Sequence, residues 1–81
     1  MITGAQVLDR VQFCLNRAKL RGIEPRNLII TDGQAIAISV MVSQSAKSRR
    51  RMLSQLRGNR AVLLGMFVKV GPVLAVEGVR R

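Results

Sequence analysis

Apolar residues recur at helical spacing between positions 3 and 21 and form one continuous stripe along a helix. The stripe consists of Val7, Leu8, Val11, Cys14, Leu15 and Ala18. Thr3, followed three residues later by Gln6, has the spacing of a capping box. Gly22 is the residue type that commonly ends a helix in a left-handed conformation. The pattern therefore predicts a first helix over residues 3–21.

Two apolar runs at residues 28–31 and 34–42 flank the dipeptide Asp32-Gly33. Asp-Gly between apolar runs is a strong signal for a two-residue β-hairpin turn. We therefore interpret both runs as strands, and residues 23–27 as a loop because Pro25 restricts the residue before it. Both faces of the second strand carry apolar or small residues, so we expect another subunit to cover part of one face.

A second helix is predicted over residues 46–57, after a capping serine at Ser45 or Ser48. Its apolar stripe is narrow, and the remainder of the helix is basic. The stripe consists of Met52, Leu53 and Leu56. Gly58-Asn59 is expected to end this helix. Residues 61–70 and 73–79 then resemble two strands joined by Gly71-Pro72.

These elements predict one α+β domain over residues 1–81, with the order helix–hairpin–helix–hairpin. A four-stranded antiparallel sheet with two helices on one face would bury every apolar stripe. Such a small domain has a marginal core, and a single cysteine allows no disulfide within the chain. We therefore expect the chain to form a homo-oligomer, specifically a homodimer, and to reside in a reducing cytoplasm. No signal peptide is visible, and charged residues and a turn in the apolar segment 61–79 favour strands over a membrane span.

Composition argues against catalysis. The chain has no histidine to move protons near neutral pH, and Cys14 has no candidate base, so it is interpreted as a structural thiol. The four acidic residues lie on separate predicted elements, which disfavours a metal site. There is no glycine-rich phosphate loop. We therefore expect no catalytic residue, no cofactor, no bound metal and no small-molecule substrate.

The charge is strongly asymmetric. The net charge is +10, and residues 43–81 hold nine basic residues and one acidic residue, a net charge of +8. The segment from Ser45 to Arg60 contains six basic residues and no acidic one. These six candidate phosphate-binding residues are Lys47, Arg49, Arg50, Arg51, Arg57 and Arg60. Guanidinium groups match phosphate oxygens in bidentate geometry, and an unbalanced cationic surface favours a polyanionic partner.

The hypothesis from sequence is a non-enzymatic nucleic-acid-binding protein, of the kind found among phage or plasmid regulatory proteins, that contacts the phosphates of DNA or RNA. With only two aromatic residues, Phe13 and Phe67, base stacking is not the expected mode of binding. The alternative is a protein-interaction module or inhibitor that docks on an acidic surface of a host protein or nucleoprotein complex. A helix that is merely cationic and solvated is a third interpretation.

Overall fold

The computed structural model describes residues 2–81 as an α+β fold of three helices and a four-stranded mixed sheet. In chain order the elements are α1 (Gly4–Leu20), β1 (Ile23–Ile30), α2 (Asp32–Val42), α3 (Ala46–Arg57), β2 (Val62–Leu63), β3 (Met66–Val70) and β4 (Ala75–Arg80). Within these residues no helix combines the length and apolar character needed to cross a membrane.

The central strand of the sheet is β1. The strand order is β2-β3-β1-β4, with β1 parallel to β3 and antiparallel to β4. Leu28 of β1 and Val68 of β3 are paired in register and fully buried, whereas Phe67 and Lys69 on the opposite face are exposed. The helices therefore cover one face of the sheet: α1 packs on β1 and β4, α3 packs on β3, and α2 lies between α1 and α3.

The first helix is confirmed. Thr3 and Gln6 form both hydrogen bonds of the capping box, since the Gln6 backbone N–H donates to Thr3 Oγ1 and the Thr3 N–H donates to Gln6 Oε1. Gly22 adopts a φ of 78°, the left-handed conformation expected where the helix stops. The apolar stripe faces the core, with Val7 and Val11 fully buried.

The first predicted hairpin is wrong, because residues 32–42 form helix α2. Thr31 caps this helix: the Gln34 N–H donates to Thr31 Oγ1 at 3.2 Å, and the Thr31 N–H donates to Gln34 Oε1 at 2.9 Å. Asp32-Gly33 is thus the first turn of a helix, where a carboxylate is favoured by the helix dipole. Capping chemistry and the continuous apolar surface decide in favour of a helix over a hairpin.

The predicted loop at residues 23–27 is also wrong, since β1 begins at Ile23. Pro25 is accommodated because the register between β1 and β4 shifts between Pro25 and Asn27. A bulge of this kind is one of the few places where a sheet accepts a proline. The edge strand β4 therefore follows the whole length of β1.

The second predicted hairpin is wrong in its pairing. Residues 61–70 are divided by a tight turn at Leu64 and Gly65, with φ values of 51° and 80°, so that β2 pairs antiparallel with β3. After Gly71-Pro72 the chain does not return beside β3, because β1 lies between β3 and β4. The sheet is therefore mixed rather than wholly antiparallel. Parallel neighbours require a long crossover, and α2 and α3 provide it between β1 and β3.

The helical assignment of residues 32–42 predicts opposite effects of adding a methyl group at two glycines. A Cβ at Gly33 would meet only Thr31 Oγ1, at 4.0 Å, and Gly33 lies outside the left-handed region, so Gly33→Ala is expected to stabilise the fold by about 0.5–1 kcal/mol. Gly4 lies where α1 approaches α2, and a Cβ there would be 2.6 Å from Met41 Cβ. Gly4→Ala is therefore expected to destabilise the fold by about 1–3 kcal/mol. Denaturant unfolding measures both, and a destabilising Gly33→Ala would contradict the helix.

Candidate nucleic-acid interface

Helix α3 contains five of the six candidate residues, and its predicted boundaries of 46 and 57 are confirmed. Ser45 is the capping residue, and its Oγ accepts a hydrogen bond of 3.1 Å from the Ser48 backbone N–H. The helix is anchored by its C-terminal half, where Leu56 is 1% exposed and Met52 and Leu53 are half-buried against the core. This short apolar stripe determines which part of the helix lies against the sheet.

The first half of α3 extends beyond the core. Every residue from 46 to 51 is exposed, including positions on the same side of the helix as Leu56. We call residues 46–51 the cationic helix end. It holds four of the six candidate residues, Lys47, Arg49, Arg50 and Arg51. The structure thus brings these four together on one free segment.

Within the described residues, no carboxylate is paired with the cationic helix end. The ion pairs among residues 2–81 join Arg26 to Glu24 and Arg57 to Asp32, and neither involves this segment. No acidic residue lies in the first turn of α3. The four cations repel one another, and Lys47, in the first turn, also lies beside the partial positive charge at the amino end of the helix. A bound anion would relieve both repulsions.

Arg57 is separated from this cluster by a bidentate ion pair. Its Nε donates to Asp32 Oδ1 at 2.7 Å and its Nη2 donates to Asp32 Oδ2 at 2.9 Å. The hydrogen bond from Arg57 holds the pKa of Asp32 below its ordinary value, while the same bond raises the pKa of Arg57. The pair connects the end of α3 to the beginning of α2. Two of the Arg57 donors are therefore already engaged by a carboxylate.

Arg60 is brought back toward α3 by a reversal of the chain. Asn59 adopts a left-handed φ of 58°, and the Arg60 N–H donates to the Gln55 carbonyl at 2.9 Å. The Arg60 side chain lines one shallow groove with Arg50 and a second with Arg51. Arg60 thereby extends the cationic surface along α3.

The other residues considered for chemistry are dispersed. Cys14 is half-buried rather than fully enclosed by the α1 stripe. Within residues 2–81 no group of three or more potential metal ligands comes together. Asp32 and Glu24 each lie beside an arginine. These positions define no second charged cluster.

The sequence indicates uncovered apolar surface at residues 34–42, but the predicted strand is wrong, and the structure places these side chains on α2. Four large apolar side chains of α2 are between 42% and 50% exposed. They lie on more than one side of α2, and we call them together the α2 apolar surface: Ile36, Val40, Met41 and Val42. Ile2 and Ala5 of the α1 region lie beside Val40 and Met41 along one groove. A helix that is apolar all round is normally buried, and this feature of the sequence is the signal that could have identified the surface.

Comparison of the chain with protein-family models, with curated proteins and with solved structures finds no match. The arrangement of side chains around α3 and α2 is therefore the basis for assigning a function.

The Asp32–Arg57 pair predicts a specific dependence of stability on pH. The folded-state pKa of Asp32 is lowered, so the pair stabilises the fold above the ordinary aspartate pKa of about 3.9, and this contribution is lost as pH falls through the folded value. Asp32→Asn should therefore unfold more easily than the parent at pH 7, and the difference should shrink below about pH 4. Chemical denaturation at several pH values measures this difference in the free energy of unfolding.

The matched control is Asp9→Asn, because Asp9 is exposed and makes no ion pair within residues 2–81. Its effect on stability should be smaller than that of Asp32→Asn at pH 7. A difference between Asp32→Asn and the parent that persists unchanged at pH 2 would contradict a stabilising role for the carboxylate.

Proposed function

We propose that the protein is a non-enzymatic nucleic-acid-binding protein that contacts phosphate groups through the cationic helix end. The observation that carries the proposal is that residues 46–51 are all exposed and hold four cations, with no carboxylate among residues 2–81 paired to them. Regulatory proteins of phages and plasmids acting in the cytoplasm are the class of small basic protein that this function suits.

Five of the six candidate residues serve as phosphate ligands in this proposal. They are Lys47, Arg49, Arg50, Arg51 and Arg60. Arg57 has a different primary role, because its bidentate bond to Asp32 fixes the C-terminal end of α3 against the start of α2. A rigidly anchored helix loses less conformational entropy when its other end binds.

Binding is expected to depend steeply on salt. Five phosphate contacts on duplex DNA give a slope of about −4.5 in log K against log salt, roughly a 500-fold loss of affinity between 50 and 200 mM. The triple variant Arg49→Ala, Arg50→Ala and Arg51→Ala should reduce the slope to about −1.8. Fluorescence anisotropy with a labelled duplex at several salt concentrations measures both slopes.

A second triple variant, Arg10→Ala, Arg17→Ala and Lys19→Ala, is the matched control. It removes the same charge from exposed positions of α1 and should retain most of the slope. Circular dichroism establishes that both variants are folded. Equal loss of binding in the two triple variants, or a parent affinity that does not change with salt, would refute binding through α3.

The homodimer expected from sequence is part of the proposal, and the α2 apolar surface supports it. Covering a half-exposed valine or methionine with a partner removes apolar surface from water and lowers the free energy of the complex. Val40→Lys should convert a dimer to a monomer in light scattering after size-exclusion chromatography of nuclease-treated protein. Val79→Lys, a similarly exposed valine on β4, should leave the mass unchanged. A parent protein that elutes as a monomer at micromolar concentration would contradict self-association.

The second candidate function is docking on an acidic surface of another protein. The observation that favours it is the position of the α2 apolar surface, which ends at Val42, with only three residues between it and the cationic helix end. Apolar contacts flanked by cations match an acidic protein surface as well as they match phosphate. A complex that survives nuclease treatment, and is lost in the α3 triple variant but kept in the α1 triple variant, would support this candidate.

A further inference from the structure

The cations of the cationic helix end point in opposite directions. Successive residues on a helix are about 100° apart, so Lys47 and Arg49 lie about 160° apart around the axis. Arg49 lies on the same side as Leu56, but it is exposed because the helix has passed the edge of the core at that level. Arg50 lies within the arc between them, and Arg51 lies about 40° from Lys47 on its other side. A helix resting on a flat anionic surface would need cations on one side only, whereas here Arg49 lies nearly opposite Lys47.

Anions on both sides of a helix are found in a groove between two phosphate backbones. The major groove of B-form DNA is about 12 Å wide and 8.5 Å deep, and it admits one α-helix. The six residues of the cationic helix end extend over about 9 Å at 1.5 Å per residue. The free length of α3 is therefore close to the depth of that groove. The major groove of A-form RNA is too narrow for side chains on a helix to be inserted in this way.

The connection between α2 and α3 also suits such an insertion. Three residues, 43–45, join the two helices, and the helices pack against each other. In helix-turn-helix units a similarly short turn joins two helices, and the N-terminal residues of the second helix contact the bases. Here the N-terminal residues of α3 are the exposed ones, and Ser45 at the end of the connection caps them.

We propose that the cationic helix end enters the major groove of duplex DNA, with Lys47 and Arg49 contacting phosphates of opposite strands. This inference rests on the proposed nucleic-acid binding and deepens it by assigning the ligand class and the groove. Arg50 lies within the arc between those two contacts and Arg51 lies beside Lys47, so both remain available to phosphates, and Asp32–Arg57 holds the other end of the helix to the fold.

The test compares three ligands of one sequence at one salt concentration. They are a 20-base-pair DNA duplex, the corresponding RNA duplex, and the DNA duplex in which each cytosine is replaced by glucosylated 5-hydroxymethylcytosine. Substituents at pyrimidine C5 project into the major groove. We expect the unmodified DNA to bind at least tenfold more tightly than either of the others. Equal affinity for DNA and RNA duplexes, or no effect of glucosylation, would overturn insertion into the major groove.

Two single variants test the contacts on opposite strands. Lys47→Ala and Arg49→Ala should each reduce the magnitude of the salt slope for the DNA duplex by about one. Lys69→Ala is the control, because Lys69 is exposed on the face of the sheet that the helices leave open. An unchanged slope in Arg49→Ala would mean that only one side of the helix meets phosphate, and would overturn the inference. All variants are checked by circular dichroism.

The outcomes separate the two proposals. Salt-dependent binding with equal affinity for DNA and RNA duplexes would leave nucleic-acid binding in place and remove the major-groove assignment. If the folded protein binds none of the three ligands at 50 mM salt, both proposals are refuted. Preferential binding of the unmodified DNA, with slopes reduced in both single variants, supports both.

Discussion

The parallel pairing of β1 with β3 is the constraint on which the rest of the structure depends. Two parallel neighbours cannot be joined by a tight turn, so residues 31–65 must leave one end of the sheet and return to the other. The chain makes this return as two helices on the face that α1 also covers. The position of α3 follows from the crossover, since Leu56 must reach β3 while the beginning of the helix connects to α2 beyond the core.

The sequence was sufficient to predict helices α1 and α3, because both have a distinct apolar stripe and a capping residue at the start. It was misread at residues 32–42, where β-branched residues and Asp-Gly indicated a hairpin. The same Thr-x-x-Gln signature that identified the start of α1 also stands at Thr31 and Gln34, and it was the more informative signal. Strand order was not predictable, since the pairing of β1 with β4 joins segments about fifty positions apart and has no local signal.

The candidate site could be predicted as a set of residue types but not as an arrangement. Charge alone identified six basic residues, and four of them share the exposed segment of α3. Charge alone did not separate Arg57 from the others, because its partner Asp32 is 25 positions away and is placed beside it only by the crossover. The α2 apolar surface was likewise hidden, because its exposure depends on which sides of α2 are covered by α1 and α3.

The central position of β1 has a consequence for how the chain folds. Both strands that pair with β1 come from residues 66–80, whereas β1 itself spans residues 23–30. During synthesis β1 therefore remains unpaired until β3 and β4 are made, whereas the three helices are synthesised before them. Contacts this distant in sequence slow folding, and an unpaired apolar strand favours association with other chains in the meantime. Early docking of α1 on β1 would shield the strand until β3 is synthesised.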